Sequence, residues 1–318
     1  MCQRRRAVWD DRHVPLGWYI GRKRASRLRP MTQRRIDVGE IGLAITEAGS
    51  GDDLVVLLHG FPELSHSWRH QLPALAAAGY HAVAPDLRGY GDSDAPPDVA
   101  DYAFPRLVGD IVGLIGALGA ERAHVVGHDW GGSIAWALAA RAPHLVRSLT
   151  ILNSPHPVAS AETRQIPEQQ QKSWYMLLFQ FVGVAEEWLS KDDFANLRSF
   201  VFDTAAPGTF PPADQQVFCA ALAREGRLTA ALNYYRANIP PENWLKPPPD
   251  LPPIEVPTTI LWGEADAYMS GVLLERSMQK VVGPLHVERL PGVSHWVQQE
   301  VPDRVNELLM AALQRVRE

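Results

Sequence analysis

Ala123-His124-Val125-Val126-Gly127-His128-Asp129-Trp130-Gly131-Gly132 decides how this chain is read. A short apolar run ends in a Gly-x-Asp-x-Gly turn, and a helix-forming segment, Ser133 to Arg141, follows. Strand, sharp turn and helix in this order make a nucleophile elbow, which holds one side chain exposed above a parallel sheet. Small residues at Gly127, Gly131 and Gly132 let the turn close tightly. The residue at the apex sets the chemistry. A serine would attack carbonyl carbon and form an acyl-enzyme. Asp129 can instead displace a leaving group at saturated carbon, giving an alkyl ester of the enzyme that water must then cleave. Ser133 is not at the apex, which speaks against an esterase.

On either side of the elbow, strand-length apolar runs alternate with helical patterns. Leu54–Leu58, His81–Pro85, Ala123–Gly127 and Ser148–Leu152 read as strands of a buried parallel sheet. Trp68–Ala78, Pro105–Leu118 and Gly131–Ala142 read as the intervening helices. Ahead of them, Arg35–Gly49 alternates weakly and ends at Gly49-Ser50-Gly51, as a hairpin would. The alternation breaks near Asn153. Residues 154–239 look helical, with Trp174, Leu177, Leu178 and Phe181 at helical spacing, and 240–257 are dense in proline. Strand and helix resume at Thr258–Trp262 and His286–Leu290 and end in a helix from Asp303 to about Val316. The pattern predicts a doubly wound α/β core over 36–153 and 251–318, with a helical lid over 154–250 inserted between its halves.

Composition excludes several classes. The chain of 318 residues, 46% hydrophobic and 21% charged, suits a globular enzyme. A net charge of −5 gives no reason to expect nucleic acid or an anionic membrane as partner. Residues 1–35 carry eleven Lys/Arg against Asp10 and Asp11, a net of +9, so the remainder carries −14. This leader lacks the apolar core of a signal peptide and reads as a poorly ordered extension ahead of Met31. No stretch approaches the roughly 20 apolar residues of a membrane span. Cys2 and Cys219 fit no metal or redox spacing, which points to a reducing compartment and a cytoplasmic protein.

A nucleophilic carboxylate needs a base to activate water, an orienter for that base, an oxyanion hole and help for the leaving group. His295, in the loop after the last strand run, is the expected base, since such loops build the sites of open α/β sheets. Asp266, just after Thr258–Trp262, is the expected orienter, with Glu264 as its local competitor. Asn153 marks the other loop where an acid could stand, but it carries no charge. Backbone N–H groups of Phe61 and Trp130 are the expected oxyanion donors, Pro62 having none. Trp130, His59 and Pro62 are expected to touch substrate.

Five segments carry a resemblance: His59–Glu63, Asp86–Ser93, Gly127–Gly132, Trp262–Asp266 and Gly292–Trp296. Together, and in this order, they resemble the epoxide hydrolases of the α/β-hydrolase superfamily, over nearly everything from residue 36 on. The resemblance implies an α/β-hydrolase fold with a cap, no metal or organic cofactor, and two lid tyrosines that donate hydrogen bonds to the epoxide oxygen. Tyr175, before Phe179-Gln180, and Tyr235, before Arg236, stand at the matching positions. It implies a small apolar epoxide and water as reactants, in a monomer or homodimer.

Three other readings compete. Haloalkane dehalogenases share the aspartate but hold halide with side-chain N–H donors; Trp130 would supply one, while Phe61 stands where an Asn would supply the second. Trp174 and Trp188 keep that reading open. Fluoroacetate dehalogenases bind a substrate carboxylate with arginines near the nucleophile, and this turn has none. A non-catalytic receptor on the same scaffold would lack a member of the triad, yet each role here has an occupant.

Overall fold

Leu54–Leu58 supplies apolar side chains to both faces of a sheet. Leu54, Val56 and Leu58 enter one hydrophobic cluster, Val55 and Leu57 another, and all five are buried. A strand covered on both sides can be uniformly apolar, which explains the continuous runs in the sequence. The computed structural model describes residues 31–316. Its sheet has eight strands: β1 (Thr32–Asp37), β2 (Gly42–Ala48), β3 (Leu54–Leu58), β4 (His81–Pro85), β5 (Ala123–His128), β6 (Val146–Leu152), β7 (Thr258–Gly263) and β8 (Leu285–Leu290). They lie in the order β1-β2-β4-β3-β5-β6-β7-β8. β1 and β2 pair antiparallel, β2 joins β4 antiparallel, and all pairs from β4 to β8 are parallel.

Helices cover both faces of this sheet, and a run of them is inserted in sequence between β6 and β7, which pair directly. They are α1 (Gln71–Ala77), α2 (Phe104–Ala117), α3 (Trp130–Arg141), α4 (Pro157–Thr163), α5 (Pro167–Lys172), α6 (Trp174–Leu178), α7 (Val184–Val201), α8 (Pro212–Leu222), α9 (Arg227–Asn238), α10 (Gly271–Met278), α11 (Val297–Glu300) and α12 (Pro302–Gln314). α4 to α9 lie between β6 and β7. α3, directly behind the elbow, buries ten of its residues, including Ala135, Ala137, Ala139 and Ala140. Their small side chains suit a helix buried almost all round.

The structure moves several boundaries. β1 starts at Thr32, inside the segment read as an extension, while residues 1–30 and Cys2 lie outside the described residues. The hairpin turns at 38–41 rather than at Gly49-Ser50-Gly51, because Gly39 takes a φ of 111° and the Asp37 carboxylate accepts its N–H at 2.8 Å. The short α10 went unread between β7 and β8. In the lid, Trp174, Leu177 and Phe181 are exposed, while Tyr175 and Phe179, on the other side of the turn, are buried.

β8 differs from its neighbours. It is an edge strand, and only Leu290 of its residues is buried, whereas every residue of β3, β5 and β7 is. Ile151, the last residue but one of β6, is fully buried. Ile151→Ala is expected to cost about 2–5 kcal/mol of unfolding free energy, measured as a lower urea midpoint with an unchanged slope.

Candidate active site

The site gathers where four parallel strands end: β3, β5, β7 and β8. Asp129 caps α3 with φ 49° and ψ −119°, a backbone region costly for any residue with a side chain. Close approach enforces it. A Cβ on Gly60 would lie 2.3 Å from the Cβ of Asp129, and one on Gly131 would lie 2.2 Å from the carbonyl oxygen of Leu58. The Ser154 hydroxyl donates to the Asp129 carbonyl at 2.6 Å.

The Asp129 carboxylate is hydrogen-bonded at one oxygen and faces the histidine with the other. Phe61 N–H donates to Oδ1 at 2.8 Å, and Nε2 of His295 faces Oδ2 at 3.8 Å. On its other side, His295 Nδ1 donates to Asp266 Oδ2 at 2.7 Å. Asp266 is buried and fully engaged: Asn153 Nδ2 donates to Oδ2 at 2.7 Å, and the N–H groups of Tyr268 and Met269 donate to Oδ1 at 2.7 and 3.0 Å. Burial opposes ionisation of Asp266, but the charge and hydrogen bond of His295, with the bonds from Asn153 and Tyr268, hold its pKa below the usual carboxylate value. Burial likewise opposes charging of His295, yet Asp266 and then Asp129 outweigh it and raise its pKa above the ordinary histidine value. Glu264 is exposed and faces Arg289 at 3.4 Å. Trp130 begins α3, so its N–H is one of those a helix leaves without an internal partner.

Tyr175 and Tyr235 come from the lid and line, with Asp129 and Trp130, a cavity of about 690 Å³. Their rings are 6.0 Å apart, and Tyr235 meets Trp130 edge-on at 5.0 Å. Burial above all, reinforced by the nearby Asp129 charge, pushes both phenols well above their usual pKa, so both keep their protons. Tyr234, next along α9, turns away and donates to the backbone carbonyl of Arg88 at 2.7 Å.

His59 and Pro62, expected to touch substrate, do not line this cavity. His59 is buried with both ring nitrogens occupied: Nδ1 faces the carbonyl of Gly60 at 2.8 Å and Nε2 accepts the Leu87 N–H at 3.0 Å. Both residues shape the loop that presents Phe61. Two contributors escaped the sequence reading. Asn153, weighed only as a place for an acid, braces Asp266 and also ties β7 through Gly263, accepting its N–H at 2.7 Å. Glu63 is fully buried and accepts from Nδ1 of His128 at 3.0 Å, while Nε2 of His128 meets the backbone carbonyl of His295 at 3.0 Å. Burial would raise the Glu63 pKa, but His128, Gln299 and Ser67 bring it down to about 2. No sequence pattern marks either contact, since each joins segments far apart in the chain.

A profile of the α/β-hydrolase fold family matches residues 53–300. Epoxide hydrolase 3 of Xenopus tropicalis is 37% identical over 283 residues, covering 86% of this chain and 76% of its own. Epoxide hydrolase A of Mycobacterium tuberculosis is 34% identical over 325 residues, covering 89% and 97%. The crystal structure of the Bacillus megaterium epoxide hydrolase with an inhibitor superposes with a TM-score of 0.81 at 33% identity, over 88% of this chain and 100% of that one. The chain belongs to the epoxide hydrolases of the α/β-hydrolase superfamily. Members of this family are hydrolases acting on ether bonds, and no helix among the described residues of this epoxide hydrolase family member is long and apolar enough to cross a membrane.

Gly60→Ala is the most direct test of the geometry. The added methyl group has nowhere to go but into Asp129, so substrate turnover is expected to fall by about 10²-fold or more while circular dichroism still reports an ordered sheet. Wild-type turnover in this variant would show that the close approach does not position Asp129.

Proposed function

We propose that this protein converts an epoxide to a vicinal diol in two steps, with Asp129 as nucleophile. Asp129 attacks a ring carbon, the C–O bond breaks, and the oxygen takes a proton from Tyr175 or Tyr235. Ring opening releases an alkoxide, a very basic leaving group, so donors held in their protonated state are what the step requires. The observation that carries this reading is that two buried, protonated tyrosines line the same cavity as the carboxylate.

In the second step His295, oriented by Asp266, takes a proton from water, which attacks the ester carbon of alkylated Asp129. Negative charge then develops on the former Oδ1, where Phe61 N–H already stands at 2.8 Å and Trp130 N–H is the second donor. The 3.8 Å between His295 Nε2 and Asp129 Oδ2 exceeds a hydrogen bond. Collapse of the tetrahedral intermediate breaks the bond between the acyl carbon and the alkyl oxygen, His295 returns its proton to that oxygen as the diol leaves, and the second proton of the water, carried on the regenerated Asp129 carboxyl, restores the tyrosine. Alkylation also removes the Asp129 charge, one of the influences that raise the His295 pKa. Forming the ester therefore makes His295 a better-poised base, because less of it is protonated at neutral pH. The expected reactants are a small apolar epoxide and water, in a cytoplasmic monomer or homodimer. A haloalkane dehalogenase reading is less well supported, since Phe61 offers no side-chain donor and Trp130 packs edge-on against Tyr235.

Turnover of styrene oxide and aliphatic epoxides, with diol detected, tests the activity against halide release from 1-bromobutane and fluoroacetate; halide without diol would sink the reading. Asp129→Ala is expected to abolish diol formation. His295→Gln should accumulate the ester, seen as substrate mass added to the intact protein, and absence of the adduct with a proven substrate would remove the two-step scheme. Tyr235→Phe should slow single-turnover alkylation about 10²-fold. For wild type, ester decay should lose tenfold per pH unit below the pKa of His295 in the ester. That midpoint should lie below the His295 pKa of the free protein, read from its ring-proton titration; equal midpoints would disprove coupling to Asp129.

A further inference from the structure

Thr204 belongs to the lid, in the short turn 202–204 that follows α7. Its hydroxyl gathers side chains from the core loops after β7 and β8. The indole N–H of Trp296 donates to Oγ1 at 3.1 Å, and the hydroxyl of Tyr268 stands 3.1 Å from the same atom. An indole nitrogen can only donate, so Thr204 is the acceptor there. The Thr204 hydroxyl in turn donates to the carbonyl of Val201 at 2.7 Å. The Tyr268 hydroxyl donates to the carbonyl of Phe200, near the end of α7. Burial pushes this phenol above its usual pKa, so it keeps the proton it donates. In both Trp296 and Tyr268 the single polar atom of the side chain is thus spent on the lid.

Both rings also pack on the imidazole of His295. Trp296 meets it at 4.8 Å with the planes at 89°, and Tyr268 at 5.2 Å and 79°. His128 adds a third ring at 4.7 Å. The bond from Nδ1 to Asp266 fixes one point of the imidazole and leaves the ring free to swing about that bond. Such a swing would carry Nε2, the atom that takes the proton, out of place. Rings set nearly perpendicular to the imidazole are walls against it.

We propose that Thr204 is a positioning residue for His295: it pins Trp296 and Tyr268 to the lid and through them holds the imidazole at the angle that ester hydrolysis requires. This rests on the two-step reading above. Thr204 is not among the residues that line the cavity with Asp129, so ring opening does not depend on it. Tyr175 also meets Tyr268, at 5.8 Å, but it is braced independently by Phe200 at 4.9 Å and Phe179 at 5.3 Å. The lid therefore serves the two steps through different residues: its tyrosines act in the first, and Thr204 supports the base of the second.

The test is single-turnover kinetics with styrene oxide in wild type, Thr204→Val and Thr204→Ser, with thermal unfolding recorded for each. Valine keeps the branched shape and loses the hydroxyl; serine keeps the hydroxyl. In Thr204→Val, ester decay is expected to slow about tenfold or more, as a misplaced base implies, while alkylation stays within about twofold of wild type. Thr204→Ser should restore most of the decay rate. Tyr268→Phe cuts the other tie and should slow the same step, which keeps the test alive if Thr204→Val does not fold. Wild-type ester decay in Thr204→Val, or equal slowing of both steps, overturns the proposal. The ring-proton resonances of His295 supply an arm independent of turnover. Ring currents of Trp296 and Tyr268 set their position, so they are expected to move in Thr204→Val and to stay in place in Thr204→Ser. If styrene oxide does not alkylate the wild type, this arm decides alone: moved resonances uphold the pin, and unmoved ones overturn it.

Discussion

Asp129 occupies a backbone conformation that costs about 1–3 kcal/mol, and the surrounding structure is built to hold it there. The residue ends a buried parallel strand and begins a buried helix, so neither flank can relax without disrupting the sheet. Gly60 presses against it from the loop after β3, Gly131 lets the start of α3 close onto the Leu58 carbonyl, and Ser154 ties its carbonyl from the loop after β6. A carboxylate projecting from such a corner has little freedom of its own. It meets its partners already in place, and the cost of ordering it is met during folding.

Electrostatics then divides the labour among groups that share one small volume. Asp266 receives four hydrogen bonds and remains an anion in the dry interior, where a carboxylate would otherwise be disfavoured. Its charge makes His295 a stronger base than an ordinary histidine. Across the cavity the same dryness has the opposite consequence for Tyr175 and Tyr235, which it keeps protonated. One environment thus yields a proton acceptor and two proton donors, because burial always disfavours the charged form and only the acceptor has a counter-charge.

Much of this was legible in the sequence because each strand of the core is a short run with punctuation at both ends. β3 and β4 were read to the residue, and the elbow, His295 and Asp266 followed from their places after strands. The loops themselves were harder. His59 was expected to face substrate, yet its imidazole locks the turn instead, a distinction that depends on where Leu87 passes. Asn153 brings a donor to Asp266 across 113 positions of sequence, and Glu63 reaches His128 across 65. Buried polar pairs of this kind leave no periodicity behind. The lid was read as helical, but its exposed Trp174 and Phe181 show that apolar spacing alone does not say which side of a short helix faces inward.

His295 follows β8, the one parallel strand at the border of the sheet and the least covered of the set. Its attachment relies on β7 alone on one side, whereas Asp129 follows a strand with partners on both. Local opening free energies differ across a fold, and borders open first. Under the proposed two-step scheme, loosening of this border would carry off the base while Asp129 still stood on a strand paired on both sides. Such a molecule would take up the alkyl group and could not release it.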